Sequence, residues 1–202
     1  MKSMMLLFVL LTEACTQCVL AGNETKVMKA TKEELIKNIE GGNKNAILEL
    51  GSIGDQSVIP FLEKLLQSPN KNFGGVAANA QMALAKLGRK EQLDEILAEL
   101  NSEDWGLQDH AIKKLAYVGG NESVKALVKL LDDRKWRKGK EWSGPKGERA
   151  MDKVFYSPRS DLAMKALAQI VPNPPIDSTV EPTEEHLQKW RVWWKNNKHK
   201  YK

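Results

Sequence analysis

At 202 residues, 42% hydrophobic and 28% charged with a formal net charge of +5, the chain has the composition of one soluble domain able to bury its own core. Its longest apolar run, residues 4–11, is far short of the roughly 20 residues that cross a bilayer, which excludes a transmembrane helix. Two cysteines and three histidines exclude a dense disulfide framework and leave little material for a metal centre.

Residues 1–21 fit a secretory signal peptide: Lys2, the apolar run, then Val19, Leu20 and Ala21, with cleavage expected after Ala21. Glu13, between the apolar run and the cut, departs from that pattern. Both Cys15 and Cys18 fall inside this segment, so a mature chain starting at Gly22 contains no thiol. Cleavage just before Cys15, with lipidation, is a poorer fit because Glu13 is out of place, and a Cys-x-x-Cys redox reading lacks the strand and helix such a motif needs. In a eukaryotic host Asn23 and Asn121, each two residues before a Thr or Ser, are glycosylation acceptors. Export to a periplasm or medium is therefore the expectation, and without a working signal the chain stays cytoplasmic. Residues 22–30 read as a linker.

Thr31 followed by Glu34 reads as a capping box that opens a leading helix through Leu35, Ile36 and Ile39. An internal repeat follows. The pattern Ala-x-x-x-Leu-x-x-aliphatic-Gly occurs as Ala46, Leu50, Ile53, Gly54, as Ala80, Leu84, Leu87, Gly88, and as Ala111, Leu115, Val118, Gly119, at steps of 34 and 31 residues. Each copy precedes a stripe with i, i+3, i+4, i+7 spacing: Val58, Phe61, Leu62, Leu65, then Leu93, Ile96, Leu97, Leu100, then Val124, Leu127, Val128, Leu131. One repeat is thus a helix, a glycine-capped turn and a second helix, and the small Ala allows a neighbouring helix to approach. Ala46, Ala80 and Ala111 are expected at equivalent buried contacts.

This pattern resembles HEAT repeats, more narrowly the short type first described in phycobilin lyases, over roughly residues 31–171. The resemblance implies an all-α fold, a right-handed α-solenoid of helical hairpins, here spanning residues 31–172 and closed by a C-terminal capping helix. It says little about function, because this repeat serves many tasks.

A fourth first helix follows at Ala163, Leu167 and Ile170, but 52 residues after Ala111, so a segment at about 133–157 is inserted. Within it, residues 134–149 hold seven Lys or Arg against two Glu, with Trp136 and Trp142 interleaved. A basic, aromatic insertion on a solenoid reads as a protruding binding loop, with Arg134, Lys135, Arg137, Lys138 and Lys140 as cations and the two tryptophans as anchors. Residues 173–182 form a Pro-rich linker, expected to be stiff and extended. A Trp- and Lys-rich helix occupies 183–202, with Glu184 and Glu185 in its first turn. Leu187, Trp190, Trp194 and Tyr201 share one stripe that closes the last repeat, and Arg191, Lys195, Lys198 and Lys202 make an adjoining basic stripe. Trp193 falls beside the apolar stripe and joins the candidate partner-binding residues.

Catalytic motifs are lacking: there is no His-Glu-x-x-His, phosphate loop or nucleophile elbow. His110 reads as a surface residue, and Glu184, Glu185 and His186 are explained by the helix dipole without a metal. Trp105 and Asp109 lie one helical turn apart, as in the HEAT-like alkylpurine DNA glycosylases, where the resemblance would have Trp105 stack on a damaged base and Asp109 stabilise a sugar cation. Export takes the chain away from DNA, and Trp105 reads better as a packing ridge. The expectation is therefore a non-enzymatic scaffold without cofactor or metal, binding another protein. The alternative is a basic surface for an anionic polymer or membrane head groups, and a lyase or glycosylase is more remote.

Overall fold

The structure, a computed structural model, describes residues 30–68, 74–135, 137–138 and 155–202. The expected signal segment, with Cys15 and Cys18, lies outside the described residues. Residues 32–202 form a compact unit of nine helices among the described residues: α1 Lys32–Glu40, α2 Asn45–Ile53, α3 Ile59–Leu66, α4 Val76–Lys86, α5 Lys90–Glu99, α6 Trp105–Val118, α7 Gly120–Lys129, α8 Arg159–Ile170 and α9 Glu184–Asn197.

The repeated motif sets the helix boundaries. Gly54, Gly88 and Gly119 stand after α2, α4 and α6 with φ of 82°, 92° and 70°, a left-handed conformation that lets the chain reverse into the second helix of each pair. Side-chain caps start other segments. Asp104 accepts hydrogen bonds from the Gly106 and Leu107 amides ahead of α6, and Thr183 accepts from the His186 amide ahead of α9.

The first helices stack in series, α2 on α4, α4 on α6 and α6 on α8, while α3, α5 and α7 each pack against the first helix of the following pair. Ala46, Ala80, Ala111 and Ala163 are all buried at the centre of this stack, as are Leu50, Leu84, Leu115 and Leu167. The second-helix stripes supply Val58, Leu62, Ile96, Val124, Leu127 and Leu131 to the same core. The aliphatic position before the glycine is less uniform: Leu87 is 7% exposed and Ile53 45%. It lies in a helix's last turn, where burial depends on the loop that follows.

Small side chains at the first-helix interface bring backbones close enough for polar pins between units. The Tyr117 hydroxyl on α6 donates to the Leu48 carbonyl on α2, and Lys86 Nζ on α4 donates to the Tyr117 carbonyl at 2.7 Å while lying 4.7 Å from the centre of its ring. Asn79, buried on α4, donates to the Lys44 carbonyl at 2.9 Å.

Three features refine the sequence reading. The inserted segment is rooted in a short antiparallel ladder, β1 Arg137–Lys138 against β2 Phe155–Tyr156, so its two limbs leave and return side by side. The proline-rich stretch does not run straight. Asn173 adopts φ 52°, Asp177 organises a turn by accepting from the Thr179 amide and hydroxyl, and Ile176 folds back onto the core. Proline fixes φ but not the turns between prolines, and burial of Ile176 decides the path. Finally, the terminal helix is α-helical only to Asn197, and Lys198–Tyr201 continue as a 3₁₀ turn. Leu187 and Trp190 are fully buried and close the stack as expected, with Trp193, Trp194 and Tyr201 packed around them.

Candidate partner-binding surface

The sequence of α7 commits Val124 and Leu127 to the core, which leaves Lys125, Ala126 and Lys129 on the adjoining face. Beside that face stand Leu97 and Leu100 from the α5 segment and the ring of Trp194 from α9. Together they line a groove of about 530 Å³ whose floor is Leu97, Ala126, Val128, Leu130 and Trp194. A second depression of about 540 Å³ shares Lys125 and Trp194 and continues over Tyr201, Lys198, His199 and Lys202. The result is one apolar trough with a cationic rim.

The rim is unevenly neutralised. Lys125 pairs with Glu122 at 2.8 Å, and Arg159 is held by Asp133 and by the Leu100 carbonyl. Lys129, Lys198 and Lys202 have no acidic partner among the described residues. Glu122, already paired, is the acidic side chain lining the first depression, and among the described residues no Asp or Glu side chain lines the second.

A groove of opposite character lies between α3 and α5. About 570 Å³ in volume, it is lined by Glu63, Glu91, Glu95 and Glu99 together with Gln67, Gln81 and Gln92. At its floor Lys114, 6% exposed, donates to both Glu99 carboxylate oxygens at 2.6 and 2.8 Å and to Gln81 Oε1 at 2.9 Å. Gln81 in turn donates to Glu95. This ladder satisfies the buried ammonium, as a charge at that depth requires.

The inserted segment leaves near the end of the cationic trough. Arg159, on the trough wall, grips Asp133 at the root. Of the residues expected to bind a partner, Arg134 is exposed but engaged: its guanidinium lies 2.7 Å from Asp161 and 3.5 Å from Glu184, tying the root to α8 and α9. Lys135 is exposed beside it. Arg137 and Lys138 form β1, opposite Tyr156 and Phe155. Trp136, Lys140 and Trp142 lie outside the described residues. Trp193 is half-buried, edge-on to Trp190 at 5.3 Å and 5.8 Å from Tyr201, so much of its ring is used in the cap. Of the expected basic stripe, Arg191 is likewise spoken for by Asp132, Glu184 and the Leu131 carbonyl. The bond from Arg191 holds the Glu184 carboxyl below the usual carboxylate range, and a bond from Lys189 does the same for Glu185.

Sequence reasoning missed the trough because it assigned Trp194 to the cap and gave Lys125 and Lys129 no role. The i, i+4 lysine pair flanking a small Ala126 is the signal that marks it. Trp105 and Asp109 are both half-buried on the first turns of α6, and neither lines these grooves. Burial, followed by Lys113 and Lys114, pushes His110 below the ordinary histidine value. Among the described residues no His, Cys, Asp or Glu cluster is arranged to hold a metal, and no helix is long and apolar enough to cross a membrane.

The family model for HEAT repeats matches residues 72–143, the stretch that holds α4 to α7. Among curated proteins none matches. Among solved structures, the complex of CpcE and CpcF of phycocyanin lyase from Nostoc sp. PCC7120 is similar at 18% identity and a TM-score of 0.38, over 89% of this chain and 70% of that one.

Proposed function

We propose that this HEAT-repeat stack is an exported, non-enzymatic scaffold that binds another protein, with residues 134–149 contributing to the contact. The observation that carries the reading is the continuity of the stack across the insertion. Although Ala163 follows Ala111 by 52 residues where the earlier steps are 34 and 31, α8 packs on α6 and α7 as α6 packs on α4 and α5. The fold therefore does not need the inserted residues. Their charge and tryptophans exceed what solubility calls for, and a sequence that interleaves tryptophan with cations suits a partner. Export rests on Lys2, the apolar run and the Val19-to-Ala21 ending.

The ladder at the root supplies a clean test. Lys138 and Phe155 face each other, so a two-residue Asn-Gly turn joins them directly and removes residues 139–154. This deletion is expected to leave the melting temperature nearly unchanged and to abolish capture of the partner recovered from the host's own envelope by the full chain. Unfolding of the deletion variant, or undiminished capture, overturns the assignment.

A further inference from the structure

We propose that the trough between α5, α7 and α9 is the seat of an acidic amphipathic segment of a partner protein, one that presents apolar side chains on one face and carboxylates on the other. The inference rests on the scaffold reading and specifies its contact. Three observations carry it. The floor is apolar and continuous from Leu97 through Ala126 and Val128 to Trp194 and Tyr201, and two adjoining depressions of about 530 and 540 Å³ each have room for large side chains. The rim is cationic, and Lys129, Lys198 and Lys202 find no carboxylate among the described residues, so three cations gather at one trough. Trp194, half-buried, packs against the core and also lines both depressions, so it offers a rigid aromatic anchor shared by the two.

The alternatives fit less well. A bare polyanion would satisfy the lysines and leave the apolar floor wet. A basic partner is repelled by the rim. The acidic groove between α3 and α5 has the wrong sign and has part of its charge already spent on Lys114.

Fluorescein-labelled synthetic 18-residue peptides test the proposal by anisotropy on the full chain. One carries Leu at i, i+3, i+4 and i+7 with Glu elsewhere, a second has the same composition scrambled to destroy the apolar face, a third has Lys in place of Glu, and a fourth is polyglutamate. The first is expected to bind at least tenfold more tightly than the other three. Trp194→Ala, and separately Lys129→Glu with Lys198→Glu, are each expected to weaken it at least tenfold. The charge-reversed variant should gain affinity for the Lys peptide, a change that mere loss of fold does not produce. Equal binding of the scrambled peptide or polyglutamate overturns the proposal in favour of an anionic polymer, and Trp194-dependent capture of phosphatidylglycerol vesicles without peptide binding overturns it in favour of a membrane. Absence of binding by every peptide also overturns it. Loss of the native partner on deleting residues 139–154 reports on the scaffold reading independently of these results.

Discussion

The tightest constraint in the stack is a missing side chain. Gly51 on α2 is buried, and a Cβ there would stand 2.6 Å from Ala83 Cβ, 2.7 Å from the Tyr117 hydroxyl and 2.8 Å from Ala83 Cα, the last being backbone that cannot swing aside. Gly51→Ala is therefore expected to destabilise the protein by about 1–3 kcal/mol through overpacking, even though alanine in an open helix position gains roughly 0.5–1 kcal/mol. Urea denaturation decides the sign, and a stabilised variant would mean that α2 and α4 do not approach as described. The position was legible in hindsight. Gly51, Ala85, Ala116 and Ala168 each follow the repeat leucine, so the motif demands a small residue there as well as at its start. Polar pins depend on the same closeness: burial raises the Tyr117 phenol and lowers the Lys86 ammonium because both sit at this interface. A second residue-scale expectation concerns acid. Asp55 caps the turn before α3 by accepting from the Ser57 amide at 2.8 Å and lies 3.1 Å from Lys32, and chiefly the Ser57 bonds bring its carboxyl from 3.8 to about 2. A pKa depressed by folding gives stability that is full above 3.8 and fades as pH falls towards about 2. The melting-temperature advantage of the native chain over Asp55→Asn should thus shrink across that window and be absent below it. An advantage independent of pH would assign the effect to hydrogen-bond geometry alone.

Among the elements, α9 shows where sequence reading succeeds and where it stops. Periodicity placed Leu187 and Trp190 on the inward stripe, and both are fully buried. It also drew a basic stripe through Arg191, which the structure uses for anchoring on Asp132 and the Leu131 carbonyl. A helical wheel records direction but not the neighbour waiting there, and the acid of another element decides whether a cation is free. The same limit hid the trough, since Trp194 both packs on the core and lines the groove. The insertion was legible as an interruption of the repeat, whereas the ladder at its root was not, because two paired residues per strand are too short for any alternation to show. Trp190→Ala is expected to cost about 3–5 kcal/mol, the ordinary range for a fully buried large aromatic. It should also loosen Trp193, which packs edge-on against Trp190, and with it the Trp193–Tyr201 contact. Near-ultraviolet circular dichroism with a thermal melt checks both, and an unchanged melt would show that the cap is dispensable to the repeats.

At the scale of the whole molecule the stack is a chain of neighbours, so each helix is as secure as the contacts on its two sides. The centre, α4 and α6, has a first helix on both flanks and a second helix against it. At one end α1 packs on α2 and buries only Leu35 fully. At the other, α9 buries Leu187 and Trp190 and is tied down by Arg191. Unequal ends predict unequal opening. Amide hydrogen exchange followed by mass spectrometry should find α1 exchanging first, α9 later and α4 with α6 last, the central helices opening only with the global transition. The physical ground is that fraying α1 uncovers little apolar surface, while opening α4 exposes the interfaces of two repeats together. A single protection level from α1 to α9 would mean that the molecule behaves as one cooperative block rather than as a stack of coupled repeats. Early exchange in α4 ahead of α1 would contradict the packing order itself.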